Sequence, residues 1–179
     1  MDAQELCYSD NFFTHSFMNI GIFLLPDPVR GAAEIYRTLK PGGVTVISSI
    51  KKVGWVRIFQ AAQKEVKPEA TVWKGPLKDE WSTEQKLKSV VQAGGFKQEN
   101  IDVIIVESSL PKNMLRNFLD SMKDQVILMI TKDWSEVEKQ KFDLVLEEQL
   151  LKELTSPHES EIVAWVALAR KQGVFFSSC

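Results

Sequence analysis

The sequence predicts an α/β fold, with strands separated by helices, on three observations. The first is the stretch 34–49. Glu34-Ile35-Tyr36-Arg37-Thr38-Leu39-Lys40 reads as a helix end, Pro41-Gly42-Gly43 as a tight turn, and Val44-Thr45-Val46-Ile47-Ser48-Ser49 as a strand. Ile35 and Leu39 lie four apart with Tyr36 beside them, which makes one helical face apolar. Lys40 suits the negative end of the helix dipole, Pro41 forbids continuation, and the glycines permit the positive φ of a reversal. The second observation is the β-branched run Ile101, Val103, Ile104, Ile105, Val106, a strand within 100–108. The third is helical spacing between these runs, as in Trp55, Ile58, Phe59, Ala62.

Taken in order, 2–9 reads as loop and Ser9-Asp10-Asn11 as a turn cluster. The apolar run 12–22 predicts a strand starting near Phe13 that Gly21 frays into loop. Asp27-Pro28 marks a helix start, with Asp as N-cap and Pro at the first helical position. Gly54 breaks the chain before the helix of Trp55, which ends ahead of Lys67-Pro68. The stretch 69–81, with Gly75-Pro76 and no period, reads as ordered loop. Ser82 and Gln85 form a capping box for a helix carrying Leu87, Val90 and Val91, which Gly94-Gly95 stops. Pro111 opens a helix whose stripe is Leu115, Phe118, Leu119, Met122, Val126, Met129 and Ile130. Ser135 and Glu138 make a second capping box, with Trp134 placed to staple the first turn. Phe142, Val145, Leu146, Gln149 and Leu150 share a face of that last helix, which frays by Thr155-Ser156-Pro157. The segment 161–171 fits helix or strand by pattern, and its β-branched start with Trp165 favours strand.

At 179 residues, 44% hydrophobic and 26% charged, the chain suits a single domain, 1–179, with a substantial core. A net charge of −2 gives no reason to expect nucleic acid or anionic membrane. Cys7 and Cys179 are too few for a disulfide framework, and with His15 and His158 too sparse for a metal site. No stretch approaches the ~18 apolar residues of a membrane span, and the acidic start is unlike a signal peptide, so a cytoplasmic location is expected.

His15, mid-strand between Thr14 and Ser16, is a candidate proton shuttle, with a hydrogen-bonded core or interface histidine as the alternative. Asp10 reads as a turn residue or a functional acid, and Asp27 as a cap. Glu34 and Arg37, three apart, make a surface pair. Lys51-Lys52 reads as solvated loop charge, and His158 as exposed.

The stretch 34–43 and its surroundings resemble the class I S-adenosylmethionine-dependent methyltransferases, in particular small-molecule enzymes of secondary metabolism. Met1-Asp2-Ala3-Gln4 is similar to the acidic loop before that family's fourth strand. Asp10-Asn11-Phe12-Phe13-Thr14 and Ser16-Phe17-Met18-Asn19 resemble the fourth strand with its cofactor-facing end, and Ala93-Gly94-Gly95-Phe96 a later turn into a strand. The resemblance implies a partial doubly wound, Rossmann-like sheet with a helical cap, within 51–100 and 111–156, lacking the N-terminal cofactor-binding strands. It assigns Asp2, Ala3 and Asn19 to vestigial cofactor contacts. It assigns Phe17, Trp55, Phe59, Trp73, Trp81 and Phe118 to an apolar acceptor pocket, with core packing as the alternative for at least half of them.

With no G-x-G loop in the sequence, the resemblance implies that these few residues do not hold S-adenosylmethionine unless a partner supplies the rest. His15 and Asp10 are then the candidate catalytic groups of a cofactor-independent cyclase or isomerase acting on a small apolar metabolite by preorganisation. The alternatives are a non-catalytic subunit of a methyltransferase, or a fragment of an active one. A sheet cut beside its fourth strand exposes an edge near 13–20, which predicts a homodimer or heterodimer there.

Overall fold

Asp27 opens the first helix as the sequence predicts: its carboxylate accepts the Arg30 amide at 3.0 Å, and Pro28 needs no partner at the first helical position. The computed structural model describes residues 1–75, 79–157 and 160–173; the expectations for His158 and Cys179 fall outside these. Four strands, β1 (Phe13–Met18), β2 (Leu39–Val53), β3 (Ile101–Leu110) and β4 (Ser160–Arg170), form one sheet in the order β1-β2-β4-β3. Five helices accompany them: α1 (Pro28–Thr38), α2 (Val56–Val66), α3 (Glu84–Ala93), α4 (Lys112–Ile130) and α5 (Glu136–Thr155). β1 and β2 are parallel, joined by α1 in a βαβ crossover.

The described residues fall into two compact units. Among them, the first comprises 1–51, 79–106 and 163–173, the second 52–75, 107–157 and 160–162. The anticipated cap range 51–100 is therefore divided, with α2 in the second unit and α3 in the first. The first unit's core joins Ile22, Ala32, Ile35 and Leu39 to Ile47, Leu87, Val91 and Phe96. Here α1 and α3 approach closely because position 94 is glycine. A Cβ there would lie 2.5 Å from the Ala32 Cβ and 2.8 Å from its carbonyl carbon. Gly95, at φ 114°, turns the chain under the Tyr36 ring, which packs edge-on to Phe96 at 5.0 Å.

The second unit is built on α2 and α5. Trp55, Ile58, Phe59 and Ala62 are buried with Leu115, Leu119, Phe142, Leu146 and Leu150. The Ser135–Glu138 capping box forms in both directions. Lys67, then the Ser135 backbone and hydroxyl, hold the Glu138 carboxyl at about 2, below its ordinary 4.5.

Several local expectations are corrected. Helix α1 ends at Thr38, before Pro41, so its last-turn cation is Arg37 and not Lys40. Pro41-Gly42-Gly43 is no helix stop but an excursion within β2. Phe13 pairs with Leu39 and His15 with Val44, so β2 advances five residues while β1 advances two. Thr83, not Ser82, caps α3, accepting the Lys86 amide at 3.2 Å. The Ser82 hydroxyl turns back to the Asp79 carbonyl at 2.6 Å, because Asp79–Ser82 is itself a 3-10 turn. Trp134 packs on Phe142, two turns into α5, at 5.5 Å. On α4, Phe118 and Met129 leave the apolar stripe for the surface. Lys51 and Lys52 lie on β2, one over the Trp165 ring at 4.7 Å and the other paired with Glu161 at 2.5 Å.

Two outcomes follow. Gly94→Ala forces α1 from α3 and lowers stability by about 1–3 kcal/mol, read as a shifted urea midpoint. The depressed Glu138 carboxyl stabilises the fold above pH 4.5 and loses that contribution as pH falls toward 2; Glu138→Gln flattens this part of the stability profile.

Candidate functional site

In an open α/β sheet, ligands sit beyond the carboxyl ends of the parallel strands. For β1 that end is Met18-Asn19-Ile20. Ile20 has φ 50°, a left-handed conformation that a β-branched side chain adopts only under constraint. The constraint is Ser48 on β2. Its buried hydroxyl accepts the Ile20 amide at 2.7 Å and donates to Asn19 Oδ1 at 2.8 Å. Asn19 is thus aimed by a neighbouring strand, and its Nδ2 has no partner among the described residues. Ser48 is a positioning residue that the sequence reading did not single out; two adjacent serines directly after Val46-Ile47 were the available signal.

The N-terminal segment is fixed by α1. All five N–H groups of Arg37 are used. They reach Glu34 Oε1 and Oε2 (both 2.7 Å), the Tyr8 carbonyl and Asp10 Oδ1 (both 2.8 Å), and the Leu6 carbonyl (3.0 Å). Glu34 also accepts the Leu6 amide at 2.7 Å. Hydrogen bonding to Arg37 holds the Glu34 carboxyl below its usual range. The pair read as surface charge is thus a half-buried clamp. Asp10 serves that clamp, and no hydrogen bond joins it to His15. Asp2 accepts the Gln4 amide at 2.9 Å, which lowers its pKa; Gln4 in turn accepts the Asp27 amide at 2.7 Å. Asp2 is exposed and Ala3 half-buried.

His15 is exposed, its Nδ1 3.1 Å from Thr14 Oγ1. It faces a cleft of about 340 Å³ shared with Lys40, Gly42 and Arg170. Of the anticipated acceptor residues, four assemble in the second unit. Trp55 lies 5.9 Å from Phe59, 6.1 Å from Trp73 and 5.7 Å from Phe118, and Phe59 lies 5.6 Å from Trp73. Trp55 and Phe59 are buried, while Phe118 is 41% exposed. The cavity beside Phe59 measures about 10 Å³, room for one water. Trp81 packs instead in the first unit's core, 6.2 Å from Phe23, and Phe17 stands on β1 with 74% of its surface exposed. Among the described residues there is no metal-ligating cluster and no helix long and apolar enough to cross a membrane.

The chain is similar to several known proteins. Residues 1–47 match a family described as a methyltransferase domain. Over 148 residues the chain is 22% identical to the acetylaranotin bis-thiomethyltransferase of Aspergillus terreus, covering 80% of this chain and 48% of that protein. Over 70 residues it is 34% identical to the demethylmenaquinone methyltransferase of Listeria welshimeri, covering 37% of this chain and 30% of the relative. A crystal structure from Bacillus halodurans C-125, assigned as a methyltransferase, superposes with a TM-score of 0.52 at 15% identity, covering 96% of this chain and 70% of that one. The fold and the matches are methyltransferase-like, with the family match confined to residues 1–47. The chain spans less than half the length of these curated relatives.

Ser48→Ala leaves the Ile20 amide without its acceptor and destabilises the protein by about 1–3 kcal/mol. The loss is measured by denaturation, together with a changed Asn19 side-chain amide signal.

Proposed function

We propose that this methyltransferase-like chain binds a small apolar metabolite and works with a second chain paired along β1, a second copy or a homologous methyltransferase. The observation that carries the reading is the state of β1. Among the described residues it is an end strand bonded to β2, with Phe17 exposed near its carboxyl end. An open, apolar strand edge is a template for pairing. S-adenosylmethionine is the cofactor that the family implies. Asn19 Nδ2 and the exposed Asp2 carboxylate suit hydrogen-bonding positions at its periphery, and the partner adds the remaining contacts. When bound, the cofactor supplies the methyl group; this chain's part is to fix Asn19 through Ser48.

A second reading is cofactor-free cyclisation or isomerisation, favoured by the Trp55, Phe59, Trp73, Phe118 cluster with its exposed Phe118 edge. Such a surface holds a flexible apolar substrate in one conformer, and that alone lowers a barrier. Substrate entry then requires the cluster to open, since the adjoining cavity has room for no more than one water.

Sedimentation at micromolar concentration tests the pairing. A dimer that Phe17→Lys converts to a folded monomer is expected; a monomeric wild type, with no methyltransferase co-purifying, overturns it. In calorimetry S-adenosylmethionine binds the paired form and not the Phe17→Lys monomer. Equal micromolar binding by both removes the need for a partner. Turnover of an apolar substrate without the cofactor selects the second reading.

A further inference from the structure

The excursion in β2 builds a cleft at the opposite end of β1 from Asn19, independent of the function proposed above. Phe13 to His15 on β1 face Leu39 to Val44 on β2, so Lys40-Pro41-Gly42-Gly43 stands out of the ladder. Gly42, at φ 81°, turns the excursion back. The end of β4 then pins it. The Gly42 amide donates to the Lys171 carbonyl, and the Lys171 amide to the Gly43 carbonyl, both at 2.9 Å. Arg170 Nη1 donates to the Gly42 carbonyl at 3.1 Å, which sets the guanidinium at the cleft wall.

The lining of this cleft is Thr14, His15, Lys40, Pro41, Gly42, Gly43, Val44 and Arg170, a volume of about 340 Å³. It carries a guanidinium, an ammonium, an imidazole and a hydroxyl, and no carboxylate. That imbalance is local, because the whole chain has a net charge of −2. Lys40 is exposed, and neither it nor Arg170 meets an acidic partner among the described residues. Several other cations among the described residues are committed to carboxylates: Arg37 to Glu34, Arg57 to Glu153, Lys67 to Glu138 and Arg116 to Glu147. The neighbouring Lys171 ammonium is turned inward, to the Tyr36 and Leu39 carbonyls. We propose that the cleft binds a small phosphate-bearing anion, held by Arg170 and Lys40 with Thr14 and His15 as further hydrogen-bonding groups. Arg presents a planar fork and Lys a point charge, a pairing suited to phosphate oxygens.

Titration of the full chain with inorganic phosphate and with glycerol phosphate, followed by amide chemical shifts, tests this. Shifts centred on Thr14, His15, Gly42 and Gly43 are expected, with affinity falling as salt rises. Tighter binding of the ester assigns the site to an organic phosphate, tighter binding of the ion to free phosphate, and either supports the cleft. Lys40→Glu with Arg170→Glu should weaken binding at least about tenfold, and Lys40→Gln alone, at an exposed position, several-fold. Unchanged affinity in a folded Lys40→Gln variant, or shifts centred away from the excursion, overturns the proposal.

Discussion

The last turn of α1 is the constraint on which the first unit depends. A helix end leaves carbonyls without intrahelical donors. Here they are taken by a side chain 135 residues away: Lys171 Nζ donates to the Tyr36 carbonyl at 2.9 Å, the Leu39 carbonyl at 2.8 Å and Asn11 Oδ1 at 3.0 Å. The ammonium also lies over the Tyr36 ring at 4.7 Å. Its partial burial lowers its pKa; the ring of acceptors is what keeps a desolvated cation tolerable. The Arg37 and Thr38 carbonyls accept the Asn11 and Phe12 amides at 3.0 and 2.8 Å. One helix terminus thereby sets where β1 begins, where β2 departs and where β4 ends.

From that fixed start, both ends of β1 acquire their properties. At the carboxyl end, parallel pairing brings Ser48 to Asn19 and Ile20, so a left-handed isoleucine is held by a bond from the next strand. At the amino end, the surplus residues of β2 have no counterpart on β1 and are displaced into the excursion that bears Lys40 and Arg170. The outer edge of β1 lies between these two features, and the register that produces them also presents Phe17 to solvent.

The legible parts of the sequence were those decided locally. Asp27-Pro28 and Ser135 with Glu138 are self-contained capping chemistry, and the β-branched runs at 44–49, 101–106 and 161–166 became strands. The resemblance carried by 34–43 identified the fold family, although Pro41-Gly42-Gly43 performs a different local task from the turn it suggested. That task depends on pairing with β1 and on bonds from 170–171, which no window around position 42 contains. Trp81 shows a similar limit: an aromatic between helices reads alike as pocket wall or core, and here it packs beside Phe23 in the first unit's core. Arg37 was read as half of a surface pair because the backbone carbonyls it holds have no signature in side-chain spacing. The four-membered aromatic cluster was anticipated as a group, but its close packing was not.

The most direct test of the role assigned to the α1 terminus is hydrogen exchange in the wild-type chain and in Lys171→Met, which keeps the aliphatic stem and removes the ammonium. The structure predicts that Asn11 and Phe12 amides exchange slowly in the wild type and markedly faster in the variant, while amides of α5 are unaffected. Rapid exchange of Asn11 and Phe12 in the wild type, or no change on substitution, would contradict the claim that this terminus positions β1.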